Sequence, residues 1–481
     1  MGVFTSPYAL QHLPAIEETG WLIAFHEDSL TQTAAAAAWC MEGPALGRLP
    51  VDVSPWSAGM GNPTALERLP RGAPSVTTKR MGRRLDSLAQ DAIAIGATPG
   101  LRLLVLTEDS ICYDGAHGTL GDVAATSVTR ESIYDLASIT KVVTTTLLAM
   151  MSVERGMLDI DKPLSSLLPV RDDAPLDDDL GKRTLRDLLA HRSGMPAWIP
   201  FYLDLVQHHD STGLGLKEER AADWIEIRPG RWMEPAWQDT ISSRIRSTTP
   251  KERGRYRYSD LGFYLLQDLL ESIWEKPLER LADSLVHAPL GLHRIGYRPL
   301  DWCGIEDIAP TELDTLFRKA WIRGTVHDPG AAMMGGVAGH AGLFSDAHDL
   351  AVIMETMRRG GEWNGVRLLD SPTVKDFTAR AFPEEDNRRA IGWDKPGLEE
   401  DSGASGNAGS WASFGHSGFT GTLAWTDPQA GWTAVFLSNR ICPDPENKKL
   451  IQEDIRTKAL FIIEEELALP HRFNSGGVSP H

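Results

Sequence analysis

The stretch of sequence that decides the fold is residues 134–141, Tyr134-Asp135-Leu136-Ala137-Ser138-Ile139-Thr140-Lys141. Residues three apart lie on one face of a helix, so this spacing brings the Lys141 amine to the Ser138 hydroxyl. A serine near a helix N-terminus is also favoured as negative charge develops on it, because the helix dipole is positive there. The sequence therefore predicts a serine nucleophile with a lysine as its base.

An SxxK pattern is weak evidence by itself, because a chain of this length holds about one by chance. The alternative interpretation is a helix-capping serine followed by a solvated lysine. The nearly uncharged run of residues 142–151 favours catalysis, since a lysine at the start of a buried helix needs a partner. A base must also be neutral, and we expect burial and nearby positive charge to lower the pKa of Lys141.

Two further motifs lie downstream. Tyr258-Ser259-Asp260 offers a phenol that can relay a proton and a polar side chain that can hold the lysine or a substrate amide. On its own this motif indicates equally well a Ser or Asp cap on the apolar helix of residues 261–273. Gly415-His416-Ser417-Gly418-Phe419 is expected to open a strand along whose edge a substrate can lie. The backbone N–H groups of Phe419 and Ser138 would then form an oxyanion hole.

In this order, the three motifs resemble those of class C β-lactamases, the related DD-peptidases and the esterases of the same fold. Residues 188–196, 289–292 and 336–345 agree with that pattern, and the resemblance runs from about residue 78 to 465. It implies a β-lactamase/penicillin-binding-protein-like α+β fold, with a central antiparallel sheet flanked by helices and an all-helical region. Strand patterns near both ends of this stretch, with helical patterns between them, also indicate an α+β layout.

The resemblance implies a role for each residue of the first two motifs. Ser138 would be the acylated nucleophile, Lys141 its base and Tyr258 a proton relay. Asp260 would be a polar support, although β-lactamases usually carry Asn there. The carboxylate that replaces this amide is expected to pair with Lys141.

The third motif is expected to face the substrate, with His416, Ser417 and Gly418 along the cleft and the backbone amide of Phe419 in the oxyanion hole. His416 stands where efficient class C β-lactamases carry lysine, and it resembles the DD-peptidase and esterase versions. This departure weakens the case for strong antibiotic hydrolysis. It leaves acyl transfer through Ser138 intact.

The predicted function is a serine hydrolase that forms an acyl-enzyme on amide or ester substrates. A D-Ala-D-Ala carboxypeptidase-like or β-lactamase-like enzyme of bacterial cell-wall metabolism fits the resemblance. The alternatives are a promiscuous carboxylesterase and a catalytically idle module that binds cell-wall fragments. A zinc enzyme is disfavoured because His327, Asp328, His340 and His348 lack paired ligand spacing. Neither a metal nor a cofactor is expected.

The chain outside the hydrolase region divides by composition. Residues 1–56 indicate a short α/β segment that resembles the C-terminal tail of bacterial β-N-acetylglucosaminidases, through Ser6-Pro7-Tyr8, residues 34–38 and residues 47–51. This segment is too short for a confident core of its own. Residues 57–77 are rich in Gly, Pro and Ser and indicate a linker. The hydrolase domain is predicted over residues 78–470, followed by a flexible tail over residues 471–481.

Charge and hydropathy limit the partners. A net charge of −18 excludes a sequence-independent nucleic-acid binder. No segment approaches the roughly 20 apolar residues of a membrane helix, and the first residues do not resemble a secretory signal. The chain as given is therefore expected to be soluble and to act on a small-molecule or peptidoglycan-derived substrate. Its oligomeric state and compartment stay open, and the periplasm would fit if a leader precedes this sequence.

Overall fold

The computed structural model divides the chain into two compact units, Met1–Pro70 and Arg71–His481. It describes residues 69, 71–72, 75–107, 110–385, 387–398 and 403–467, and the backbone of two short strands, Gly2–Phe4 and Trp21–Ile23. These two strands pair in parallel within the first unit. Most of the predicted linker and the predicted tail lie outside the described residues, so the domain boundaries stay predictions.

The second unit is built on a five-stranded antiparallel sheet whose strands come from both ends of the unit. The strands are β1 (Gly100–Thr107), β2 (Ser110–Gly118), β3 (Phe414–Ser417), β4 (Leu423–Asp427) and β5 (Trp432–Ser438). Their order across the sheet is β3-β4-β5-β1-β2, so the last strand of this sheet along the chain, β5, pairs with its first, β1. This arrangement confirms the predicted α+β fold class.

Five helices surround the sheet or lie beside it. They are α1 (Val76–Ala94), α2 (Leu147–Glu154), α3 (Leu261–Trp274), α4 (Ala347–Arg358) and α5 (Ile455–Glu466). α1 begins earlier than its apolar spacing predicts, because Ser75 and Thr78 form a capping box. The predicted closing helix is divided into Lys449–Gln452 and α5, since Asp454 between them has a left-handed φ of 50°.

Helices cover both faces of the sheet. Ala434 and Phe436 of β5 belong to the apolar core that α1 and α5 complete on one face. The intervening Thr433 donates a hydrogen bond to Glu355 of α4, which lies on the opposite face. Alternate residues of a strand point to opposite faces. A strand buried on both faces is apolar almost throughout, as β5 is.

Shorter elements fill the region between the sheet strands. The helices are Leu164–Leu167, Asp178–Gly181, Leu185–Leu189, Phe201–Thr212, Ala236–Arg246, Leu278–Ala282, Asp283–His287, Pro299–Asp301, Ile305–Asp307, Pro329–Met333 and Ser371–Thr378. Small antiparallel sheets join Tyr134–Asp135 with Leu343–Ser345 and Ile295–Tyr297, Leu216–Lys217 with Arg231–Met233 and Ile225–Arg228, Leu313–Asp314 with Ala320–Trp321, and Glu362–Trp363 with Val366–Arg367. The predicted helical block therefore also contains strands, around residues 216–233. Among the described residues, no helix has both the length and the apolar character needed to cross a membrane.

The helix that follows Ser138 runs through the centre of the unit. It starts as a π-helical segment, Lys141–Thr146, and continues as α2. Every residue from Lys141 to Ser152 is buried, as expected of a helix that is apolar on all sides. The structure thus places the lysine of the first motif inside the core, next to a surface serine.

Candidate active site

Ser138 is the single accessible point of a long buried stretch. Between Ser132 and Ser152, all other residues are buried and Ser138 is partly exposed. The serine lies in a tight turn that leads into the helix, not on the helix itself, and Ala137 before it has a left-handed φ of 47°. The buried Asp135 carboxylate supports this turn by accepting from the Ala137 N–H at 2.8 Å. A sharp turn of this kind presents the hydroxyl to a substrate.

Lys141 has three partners around its ammonium group. Its Nζ lies 2.9 Å from Ser138 Oγ, 2.7 Å from Asp260 Oδ1 and 2.9 Å from the His340 carbonyl oxygen. The side chain has no exposed surface. The amine is therefore hydrogen-bonded to the hydroxyl and ion-paired with the carboxylate, beneath the partly exposed serine.

The pKa of Lys141 is raised, whereas the sequence led us to expect a lowered one. Burial alone would lower the pKa of Lys141, but the Asp260 carboxylate and the Tyr258 hydroxyl outweigh it, and the pKa lies above its ordinary value. The expectation of a lowered pKa was wrong because the pairing with Asp260, which the sequence also predicted, has more effect on this pKa together with Tyr258 than burial has. The free enzyme therefore holds Lys141 as an ammonium at neutral pH.

Tyr258 lies beside both groups. Its ring centroid is 5.4 Å from Lys141 Nζ and 4.3 Å from the centroid of the His191 ring. Burial raises the pKa of Tyr258, while the positive charge of Lys141 and a hydrogen bond from the Ser138 hydroxyl lower it. The phenol oxygen is thus placed as an acceptor for the serine proton.

Asp260 precedes α3, but its side chain makes no capping hydrogen bond there. The interpretation of Asp260 as a helix cap was therefore wrong, because its carboxylate turns to Lys141. Ser259 has a structural role, donating to the Pro196 carbonyl at 2.6 Å and accepting from the Leu261 N–H at 3.3 Å. A carboxylate at the start of a helix is also favoured by the helix dipole.

The third motif forms most of β3 and the turn after it, since Gly415 is the second residue of this strand, which begins at Phe414 and ends at Ser417. His416, near the end of this edge strand, is 2% exposed. Burial and then the positive charge of Arg389 lower the pKa of His416 to about 3. Its Nδ1 lies 2.7 Å from the Ser417 carbonyl oxygen, which only accepts, so the neutral ring carries its proton on Nδ1.

The turn after His416 is held against the turn of Ser138. Thr420 and Thr422 donate hydrogen bonds to the carbonyls of Asp135 and Leu136, at 2.8 and 3.1 Å. A Cβ atom on Gly418 would lie 2.5 Å from the Leu136 oxygen, so only glycine allows this approach. The two segments are therefore fixed relative to each other by direct contact.

Two backbone amides at this junction are available. The N–H groups of Ser138 and Phe419 donate no hydrogen bond to any residue that the structure describes. The Phe419 ring is 52% exposed and stacks on His327 at 5.3 Å between centroids. The arrangement offers two donors and one apolar surface beside the serine.

Sequence reasoning missed two residues close to this group. His191 appeared only within a supporting phrase, and Arg389 was not considered. Both are buried, and both adjoin Tyr258: the His191 ring stacks on it and the Arg389 guanidinium carbon lies 5.4 Å from its ring centroid. The signal for Arg389 was a pair of arginines directly before the apolar residues 390–393.

The histidines that suggested a metal cluster have other partners. His340 Nε2 lies 3.0 Å from Asp328 Oδ1, and His327 Nδ1 lies 3.2 Å from Glu312. His348 lies 3.7 Å from Asp114. Within the described part of the chain, no group of three or more acidic, His or Cys side chains is arranged to hold a metal ion.

Comparison with known families agrees with this site. The family model described as Beta-lactamase matches residues 85–456, which include all three motifs. The chain therefore belongs to the beta-lactamase family and is a serine hydrolase. The expected family and enzyme class are both confirmed.

Curated relatives and solved structures add detail. A Salmonella typhimurium protein named "Putative D-alanyl-D-alanine carboxypeptidase" is 33% identical over 387 residues, covering 74% of this chain and 82% of that protein. A protein of the same name from Salmonella typhi is equally similar.

Among solved structures, EstCE1, a hydrolase with promiscuous acyltransferase activity, gives a TM-score of 0.57 at 22% identity, covering 80% of this chain and 100% of that one. A penicillin-binding protein homologue from Caulobacter crescentus gives 0.57 at 16% identity, covering 82% and 99%. At these identities, the structural likeness establishes the fold.

Proposed function

We propose that Ser138 is the acylated nucleophile and that the substrate is a peptide ending in D-Ala-D-Ala. The observation that carries the proposal is the contact of Lys141 Nζ with both Ser138 Oγ and Asp260, at 2.9 and 2.7 Å. The substrate class follows from the name of the Salmonella relatives, which share a third of their residues with this chain over the aligned region.

In the acylation step, Ser138 Oγ attacks the carbonyl carbon of the scissile amide. Its proton passes to the Lys141–Tyr258 pair, which must first have lost one proton because Lys141 begins as an ammonium. Tyr258 then gives a proton to the leaving nitrogen as the C–N bond breaks. Water later attacks the ester, assisted by the same pair, and releases Ser138.

The amides of Ser138 and Phe419 would stabilise the negative oxygen that forms during each attack. Two such donors act strongly because they are already oriented. His416 and Ser417 would line the strand edge along which the substrate lies. Gly418 would serve by allowing the close approach that places the Phe419 amide.

A carboxylesterase is the second candidate, and the neutrality of His416 favours it. A protonated or lysine side chain at this position would attract a substrate carboxylate, and a neutral imidazole does not. The exposed Phe419 ring would also suit an apolar ester. An idle binding module is the third possibility, and it predicts no covalent chemistry at all.

The test is intact-protein mass spectrometry with a fluorescent penicillin and a fluorophosphonate. We expect the wild type and a surface control, Ser211→Ala, to gain one adduct, and Ser138→Ala to gain none. An adduct that persists in Ser138→Ala would contradict the proposed nucleophile, and no adduct in any protein would support the idle module.

Turnover then separates the two enzyme candidates. Release of D-alanine from a D-Ala-D-Ala peptide, faster than hydrolysis of a short nitrophenyl ester, would support the carboxypeptidase. Ester hydrolysis without D-alanine release would support the carboxylesterase.

A further inference from the structure

Two arginines share one carboxylate next to the proposed catalytic group. Arg388 binds Asp394 through Nε at 2.7 Å and Nη2 at 3.2 Å, and Arg389 Nε lies 3.4 Å from the same oxygen as Arg388 Nε. Arg389 and Asp394 are 3% and 2% exposed. Two guanidinium groups against one carboxylate leave one uncompensated positive charge in the protein interior.

That charge faces the tyrosine of the second motif. The guanidinium carbon of Arg389 lies 5.4 Å from the centroid of Tyr258 and 5.9 Å from that of Tyr256. Its Nη2 is 3.5 Å from the Tyr256 hydroxyl. Arg388 also lies over Tyr256, at 5.5 Å, whereas Arg389 approaches Tyr258 in addition to Tyr256.

The other groups that face Tyr258 carry no net positive charge. Lys141 is compensated by Asp260 at 2.7 Å. His191 and His416 lie 4.3 and 6.1 Å from the Tyr258 ring, and burial lowers the pKa of each well below its ordinary value. Among the described residues around this phenol, Arg389 therefore supplies the uncompensated positive charge.

Resting on the proposed function, we infer that Arg389 is a positioning residue that acts through Tyr258, where its charge favours loss of a proton from the Lys141–Tyr258 pair. A positive charge at this distance in a partly buried site stabilises a phenolate substantially. Arg389 thus supplies the positive charge that His416, being neutral, does not. Its guanidinium contacts the ring of Tyr258 and not the reacting atoms.

The test is the pH dependence of kcat/KM for an uncharged nitrophenyl ester, which removes any effect on binding of a substrate anion. In Arg389→Met, the acid limb should move to higher pH by about one unit, with about a ten-fold loss near pH 7. Arg389→Lys keeps the charge and should move the limb less. Arg388→Met is the matched comparison: it removes a charge from the same carboxylate but leaves Arg389 beside Tyr258, so the limb should move to higher pH by less than in Arg389→Met.

Asp394→Asn should move the acid limb in the opposite direction. It tests the inference even if Arg389→Met does not fold. It removes the counter-charge at nearly constant shape, so the acid limb should move to lower pH. A limb that stays in place in both Arg389→Met and Asp394→Asn would overturn the inference, as would equal shifts in Arg389→Met and Arg388→Met.

The pH dependence of fluorophosphonate labelling separates this inference from the proposed function. If Ser138 is labelled in the wild type but the limb is insensitive to Arg389, only the inference fails. If Ser138 is not labelled at any pH, the proposed function fails and the inference with it.

Discussion

Two buried lysines of this protein have pKa values that are shifted in opposite directions. Lys141 has no exposed surface and lies 2.7 Å from Asp260, and the net effect raises its pKa. Lys395 is 3% exposed, and its Nζ donates to the Ala412 carbonyl at 3.2 Å. No carboxylate in the described part of the chain lies within ion-pair distance of Lys395, and burial, with Arg380, lowers its pKa to about 7. Burial by itself pushes an amine towards neutrality, and a counter-charge decides whether it stays charged.

The comparison also shows why a shifted pKa does not identify a catalytic base. Lys395 has a pKa of about 7, which suits a general base near neutral pH. In the described structure, however, its amine contacts a carbonyl and no hydroxyl. Lys141 is held as an ammonium, yet it contacts Ser138 and the proton acceptor Tyr258. Geometry relative to a nucleophile therefore ranks above the charge state in assigning the site.

The largest expected effect separates the two lysines by activity. Lys141→Met removes the group that contacts Ser138, and turnover of the nitrophenyl ester should fall on the order of 10³-fold. Lys395→Met should change turnover by less than about two-fold, because its amine lies outside the proposed catalytic group. Steady-state assays of both variants, with melting temperatures to confirm folding, measure this. Similar losses of turnover in the two variants would contradict the assignment of Lys141, and not Lys395, to the proposed catalytic group.

Asp260→Asn should make the surroundings of Lys141 more like those of Lys395. Without the carboxylate, the pKa of Lys141 falls, so the acid limb of kcat/KM should move to lower pH by about one unit or more. The variant should also lose roughly 1–3 kcal/mol of stability, since it breaks a largely buried ion pair. A pH–rate profile and a urea titration give the two quantities. A limb that does not move would mean that Asp260 does not set the charge of Lys141.

The last prediction concerns the stability of the protein and not its activity, at Lys395. The pKa of this amine is about 7 in the folded state and about 10.4 in the unfolded state. Below pH 7 both states bind the proton and the burial penalty is fully present. Between these values the unfolded state binds more protons, so stability rises with pH. Lys395→Met should therefore be more stable than wild type by roughly 4–5 kcal/mol at pH 6, with a gap that shrinks towards pH 10.

Urea unfolding at several pH values measures this gap, with Lys458→Met as an exposed control that should show none. A gap that is constant with pH would indicate a packing effect and would contradict the assigned protonation state of Lys395.

Local patterns predicted the large elements well where tertiary contacts agree with them. The apolar spacing of residues 79–95 predicted α1, and the buried strands at both ends predicted the sheet. The errors occurred where single residues end an element: the capping box at Ser75 lengthens α1, and the left-handed Asp454 divides the closing helix. Such boundaries depend on side-chain caps and backbone angles that periodicity does not record.

The sequence likewise predicted some features of the candidate site and not others. Ser138 and Lys141 were found because they lie three positions apart, and the other motifs were found by their order. The capping role of Asp260 was wrong, because the carboxylate meets a lysine 119 positions away. The sequence also did not show that Gly418 approaches Leu136. No pattern along the chain records either contact.

The sequence by itself determined the family, the α+β class and the candidate nucleophile, because these depend on spacing along the chain and on the order of short motifs. Only the tertiary structure decided that Lys141 is charged, that His416 is neutral and that Arg389 faces Tyr258. Each of these depends on burial and on charges contributed by distant segments. The electrostatic energy of a group is set by distance through space, and distance along the chain does not determine it.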